Sequence, residues 1–283
     1  MERRVYLDSA ATTYVTNEVL NEMMPCYNIF FGNPNSIHSF GREAQGIVDR
    51  ARDRIAKTIN AKSEEIYFTS GGTESDNWAI KGIAHAYANK GKHIITSQIE
   101  HPAVMESCRA LEKEGFEVTY LPVDKYGIVS LAALLHAIRK DTILISIMAV
   151  NNEVGTIQNI KAIGKTAREN GILFHTDAVQ AYGALKLDVE DMCIDLMSFS
   201  SHKIYGPKGV GALYVRKGVR IANLLDGGHQ ERSKRGGTTN VPAIAGFGKA
   251  AEINARDLAV NGQRMKSLRD YFIKQVTEFL MLS

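Results

Sequence analysis

Seven short runs of apolar and β-branched residues punctuate this chain of 283 residues, and stretches of helical periodicity fill most of the gaps between them. The runs fall at 65–69, 93–97, 117–121, 142–150, 172–177, 195–200 and 211–215; the helical stretches include 73–89, 103–114, 131–139 and 160–170. A strand that returns parallel to its predecessor needs a crossover of about a dozen residues, usually a helix. The alternation therefore predicts an α/β fold, a mainly parallel seven-stranded sheet flanked by helices. Ile143-Leu144-Ile145-Ser146-Ile147-Met148 is apolar almost without a break, as suits a strand covered on both faces. In open sheets of this kind the ligand crevice lies beyond the carboxyl ends of the strands. Several polar motifs of this chain follow strands there, and they direct the search for a site.

Composition narrows the partners. A formal net charge of +3, with Lys and Arg in no more than short clusters, argues against nucleic acid or an acidic membrane surface. There is no run of about eighteen apolar residues, so no membrane span is expected. The start, Met1-Glu2-Arg3-Arg4-Val5-Tyr6-Leu7, lacks the apolar core of a secretory signal. The three cysteines, Cys26, Cys108 and Cys193, form no CxxC pair and show no metal-ligand spacing. Neither a disulfide framework nor a metal site is expected, and a reducing cytoplasm fits best. Two Gly/Asn-rich loops stand out, Gly32-Asn33-Pro34-Asn35-Ser36 and 226–240. The stretch 261–280 reads as one amphipathic helix, its stripe of Met265, Leu268, Phe272, Val276 and Leu280 needing the main domain or a further domain to cover it.

The chemistry concentrates in Thr176-Asp177-Ala178-Val179-Gln180 and Ser200-Ser201-His202-Lys203, each at the end of a predicted strand. Pyridoxal phosphate (PLP) chemistry asks for this combination: a lysine amine to form a Schiff base, and a carboxylate to keep the pyridine nitrogen protonated. A partly desolvated lysine has its pKa lowered toward the neutral, nucleophilic form. Alone, a lysine after a strand is an ordinary surface residue and an aspartate there an ordinary turn former. Ser70-Gly71-Gly72-Thr73-Glu74-Ser75 joins a strand to a helix, where glycines and free N–H groups suit a phosphate, although a simple helix cap reads equally well. Glu100-His101-Pro102 puts an imidazole where it would stack on a planar ring or move protons. Asn151-Asn152-Glu153-Val154-Gly155 offers an amide, or only a turn.

Together with Leu7-Asp8-Ser9-Ala10-Ala11-Thr12-Thr13, Gly32 to His38, Phe68 to Asn77 and Arg235-Gly236-Gly237-Thr238-Thr239-Asn240, these segments resemble the NifS-like cysteine desulfurases. The matches run in order from residue 7 to about residue 240. The resemblance implies a fold-type-I PLP-dependent transferase of the class-V aminotransferase superfamily, working as a homodimer. It implies that Lys203 carries the cofactor, that Asp177 pairs with the pyridinium and that His101 stacks over the ring as a second catalytic group. Gln180 would bond the phenolic oxygen, and Asn152 would sit near the substrate. Gly72, Thr73, Ser200 and His202 would bind the phosphate, with Thr238 reaching in from the neighbouring subunit. The implied reaction takes sulfur from L-cysteine, giving L-alanine and a persulfide for iron–sulfur cluster or thio-cofactor assembly. An iron–sulfur scaffold or another sulfur-acceptor protein is the implied partner, with nucleic acid involved at most indirectly, through tRNA thiolation.

The implied domains are 1–14 as an N-terminal segment of a small domain, 15–258 as the large PLP-binding domain, and 259–283 as the start of a C-terminal small domain. The family's nucleophilic cysteine and its carboxylate-binding arginine belong to a region past residue 283, so the chain is expected to keep the cofactor site and to desulfurate poorly. None of the three cysteines has the small-residue loop context of that nucleophile. Two other readings share these residues: a selenocysteine lyase or class-V aminotransferase, and a non-catalytic PLP-fold protein that dimerises or binds a partner.

Overall fold

The computed structural model describes residues 4–281. Its seven strands are β1 Ile66–Thr69, β2 His93–Ser97, β3 Glu117–Leu121, β4 Thr142–Ser146, β5 Leu173–Asp177, β6 Leu196–Ser200 and β7 Gly211–Val215. They form one sheet in the order β1-β7-β6-β5-β4-β2-β3. Neighbours are parallel except at β7, which runs antiparallel to both β1 and β6. The helices are α1 Asn17–Met23, α2 Pro25–Asn28, α3 Ser39–Thr58, α4 Gly72–Tyr87, α5 Pro102–Lys113, α6 Leu131–Ala137, α7 Ile160–Glu169, α8 Gln230–Ser233 and α9 Val241–Met281.

Alternate residues of each strand feed two cores. Ile94, Leu144, Leu196 and Leu213 meet Trp78, Ile80 and Ile83 of α4 and Val104 and Leu111 of α5 on one face. Phe68, Ile95, Ile145, Phe174, Met197 and Phe199 meet α3, α7 and the first third of α9 on the other. Burial of each large side chain contributes about 1.5–3 kcal/mol, and the sheet is covered on both sides as its apolar runs require.

Two expectations change. The fourth strand ends at Ser146 instead of Val150, because the Met148 N–H leaves the ladder for the Glu100 carboxylate, while Ile147 and Ala149 still donate to His175 and Asp177 carbonyls. The last helix is 41 residues long and starts at Val241, twenty residues before the amphipathic stripe that marks it in the sequence. Its early turns pack on α3 and α1 through small residues: a Cβ on Gly248 would stand 2.6 Å from the Ala51 Cα, too close for any side chain. The expected covering of the stripe by the main domain is not seen: Leu268, Phe272 and Val276 stand exposed, and only Met265 and Leu268 edge a hollow beside Tyr14.

A buried ion pair ties the 226–240 loop to the sheet edge. Both guanidinium nitrogens of Arg52 donate to Glu231, at 2.7 and 2.8 Å, and Arg52 also donates to the Ile66 carbonyl. Glu231 in turn accepts the Phe68 N–H at 2.9 Å. The pair is almost fully shielded, with side-chain exposures of 9% and 7%. Removing one partner strands the other charge in the interior, so Arg52→Ala is expected to cost about 3–5 kcal/mol of unfolding free energy. Chemical denaturation measures this; a loss below about 1 kcal/mol would show that solvent screens the pair.

Candidate active site

Five strand ends converge on one cavity of about 500 Å3. The loop after β1 leads into α4 through Gly71, whose φ of 154° is open to glycine and strained for other residues. No side chain caps α4; instead Glu74 turns back to accept the Ser70 N–H and is held by Arg235. The helix thus begins at Gly72 and Thr73 on the cavity wall, with its positive dipole end toward the space.

After β2, His101 caps α5, its Nδ1 accepting the Ala103 N–H at 3.1 Å, and Pro102 occupies the first turn. Holding Nδ1 as an acceptor places the ring proton on Nε2 and fixes the imidazole plane. Past β4, the buried Asn151 donates to the Ile99 carbonyl and accepts the Glu153 and Val154 N–H groups, a turn that presents Asn152 to the cavity. Asp177 ends β5 with one carboxylate oxygen on the Val179 N–H at 2.9 Å. Burial pushes its pKa up, while His101 and Lys203 pull it back.

Lys203 lies in a 3-10 turn just past β6. Its ammonium nitrogen donates to the carbonyls of Ala10 and Ala11, Gln180 donates to Ala10 at 3.2 Å, and His202 pairs with Thr12 at 3.0 Å. The segment 8–13 is therefore a lid of backbone oxygens over the lysine. Desolvation lowers the Lys203 pKa, against the opposite pull of Asp177 and Asp8. Burial likewise lowers that of His202, helped by Lys203 and Lys208.

Nine of the ten residues expected to hold the cofactor line this cavity: Gly72, Thr73, His101, Asn152, Asp177, Gln180, Ser200, His202 and Lys203. Thr238 does not; it lies in a separate hollow with Phe68, Arg235 and Ile244. The cavity also contains Asp76 and Glu153, which motif reading passed over. Beneath it, Glu100 is buried and its pKa is pushed to about 8 by desolvation. Among the described residues no cysteine lines the cavity; Cys26 and Cys108 are buried, and burial pushes the Cys108 thiol to about 12, far from a thiolate.

This donor set fits a phosphorylated pyridine aldehyde. A helix N-terminus with Thr73, Ser200 and His202 suits the phosphate, a buried carboxylate suits a ring nitrogen, and an amine of lowered pKa suits the aldehyde. Fold and site together define a fold-type-I PLP enzyme. The class-V aminotransferase family model matches residues 5–280, and the chain belongs to that PLP-dependent family.

Within it, the chain is 56% identical over 276 residues to the cysteine desulfurase IscS of Dictyoglomus turgidum, covering 98% of this chain and 70% of that protein. It is 57% identical over 272 residues to the cysteine desulfurase IscS of Methanosarcina thermophila, covering 96% of this chain and 67% of the relative. A solved NifS-like protein superposes with a TM-score of 0.95 at 44% identity, over 98% of this chain and 76% of the other. The structure of SspA in complex with cysteine superposes with a TM-score of 0.86 at 46% identity, over 88% and 72%.

Proposed function

We propose that this protein is a cysteine desulfurase, taking sulfur from L-cysteine and releasing L-alanine. The observation that carries the reading is the single cavity in which Lys203, Asp177 and His101 meet beside the N-terminus of α4. Relatives named cysteine desulfurase at 56% and 57% identity support the substrate class, as does a 46% identical structure holding cysteine.

PLP, when bound, supplies an electron sink for negative charge developing at the substrate Cα. The protein residues do the rest. Lys203, reacting as a neutral amine, would hold the aldehyde, and its Nζ would be the base for the substrate α-proton. Asp177 orients the ring nitrogen and keeps its proton. His101 would cover one ring face and offer its Nε2 proton to the substrate. Gln180 aligns the phenolic oxygen, Asn152 stands at the substrate side, and Thr73, Ser200 and His202 fix the phosphate. Thr238 acts in the corresponding cavity of a second copy of the chain, which makes a homodimer the working unit. The body at 15–258 carries the site, and the segments before and after it belong to a smaller domain. The sulfur would pass to an acceptor thiolate on a protein of iron–sulfur cluster or thio-cofactor assembly, the new S–S bond forming a persulfide as the C–S bond breaks and its electron pair returns to Cβ, which takes a proton to become the methyl of L-alanine.

The test is a product assay on the PLP-loaded protein with a thiol reductant. L-Cysteine is expected to give equal amounts of alanine and sulfide, faster than selenocysteine gives selenide. Sustained turnover only with an amino donor and a keto acid, with pyridoxamine phosphate accumulating, would make the protein an aminotransferase instead.

A further inference from the structure

Asp177 is not the only carboxyl group beneath the cavity. Asp76, in the second turn of α4, is 1% exposed, and its Oδ1 has no hydrogen-bond partner among the described residues. The carboxylate oxygens of Asp76 and Asp177 and a ring nitrogen of His101 lie within 4.8 Å of one another. The nearest basic atom to Asp76 Oδ1 is His175 Nε2, at 3.7 Å, but it offers no charge. Both His175 nitrogens are already engaged, Nδ1 with Ser146 at 2.8 Å and Nε2 with Ser198 at 3.0 Å, and full burial holds its pKa near 3. Desolvation opposes the ionisation of Asp76, Asp177 on β5 and Glu100 after β2 add to it, and only a hydrogen bond from the Ser198 hydroxyl works the other way. Asp177, by contrast, accepts the Val179 N–H and has Lys203 and His101 acting on it in the opposite direction to burial.

Two buried carboxylates this close, without a dedicated cation for each, do not both ionise. The geometry says which keeps the proton: Asp177 accepts the Val179 N–H and has Lys203 acting on it, whereas Asp76 Oδ1 has no donor among the described residues. We propose that Asp76 is a positioning residue which stays a neutral carboxylic acid under the cofactor, leaving Asp177 as the single full negative charge that faces the pyridine nitrogen. The inference rests on the reading of Asp177 given above. A second negative charge at Asp76 would hold the ring-nitrogen proton through Asp177 more tightly and would repel Asp177 from its own position.

The experiment compares Asp76→Asn, Asp76→Leu and Asp177→Asn in the PLP-loaded protein, with infrared, absorbance and affinity readouts. The infrared difference between wild type and Asp76→Asn at about pH 8 is expected to contain the C=O stretch of a protonated carboxyl group, well above the usual carboxylate range. The pH titration of the bound cofactor's visible absorbance is expected to coincide for wild type and Asp76→Asn, to within about 0.3 of a unit, because a neutral amide replaces a neutral acid. Asp76→Leu, lacking the polar group, is expected to weaken PLP binding by about tenfold, and Asp76→Asn to restore it to within about threefold.

Absence of the protonated-carboxyl band, or a fall of about one unit or more in the cofactor titration of Asp76→Asn, would show Asp76 to be ionised and would overturn the proposal. Failure of the underlying reading looks different: Asp177→Asn would then bind and titrate like wild type, whatever the Asp76 variants do. Without cofactor, the raised pKa of Asp76 means that folding stability declines as pH rises past the ordinary carboxylate range. Asp76→Asn is accordingly expected to melt higher than wild type at about pH 8, with the gap closing toward pH 4. An equal melting difference at both pH values would count against a proton held at Asp76.

Discussion

Lys203→Ala is expected to abolish covalent attachment of PLP and to lower turnover of L-cysteine by a factor of roughly a thousand or more, within the range that a positioned base and nucleophile supplies. Borohydride reduction followed by peptide mass analysis reads the attachment directly. In the wild-type protein the pyridoxyl group is expected on the peptide containing Lys203, and in the variant on none. The structure makes the lysine specific: it is the amine that the 8–13 segment covers with the Ala10 and Ala11 carbonyls, and desolvation lowers its pKa. Lysines on the surface keep their protons and their solvation, so they react slowly with an aldehyde. A stoichiometric adduct at another lysine in Lys203→Ala, with turnover retained, would remove Lys203 from its assigned role.

The second large effect is at Asp177. Asp177 is 5% exposed, and among the described residues its carboxylate accepts only the Val179 N–H, which leaves acceptor capacity toward the cavity. Asp177→Asn keeps the shape of the side chain and removes the charge that holds a proton on the ring nitrogen. Loss of a buried charge pair of this kind costs about 3–5 kcal/mol, a factor of roughly a hundred to several thousand in turnover. Steady-state kinetics on the PLP-loaded variant reads the effect, and the cofactor is expected to stay attached to Lys203 when PLP is in excess. Turnover within about threefold of wild type would mean that the ring nitrogen needs no full charge beneath it.

The sheet was legible because its central strands are buried on both faces and read as nearly unbroken apolar runs, as in Thr142-Ile143-Leu144-Ile145-Ser146. The active-site loops were legible for a related reason: a turn that must admit an anion or present a side chain at a strand end is restricted to Gly, Asn, Ser, Thr and Pro, and those residues cluster visibly. Asp76 was not legible. An acid in the first turns of a helix is an ordinary dipole partner, and only the packing of α4 on β5 reveals that this buried one faces a second buried carboxylate. Glu100 hid in the same way, since its partners, Ser97 at the end of β2 and the Met148 N–H just past β4, lie far apart in the sequence. The first half of α9 was missed because it packs with Ala and Gly, whose small side chains let α3 approach closely and raise little periodic signal. Thr238 was named from family pattern, and the fold of one chain holds it in a different hollow from the other nine residues.

The central claim, that these residues form a working PLP site which engages L-cysteine, is most directly tested by the visible absorbance of the purified protein with PLP and then with L-cysteine. The account predicts a yellow band that lies apart from that of free PLP, disappears in Lys203→Ala, and changes on addition of L-cysteine but not of D-cysteine. A spectrum that remains that of free PLP, or a protein-bound band indifferent to L-cysteine, would contradict it.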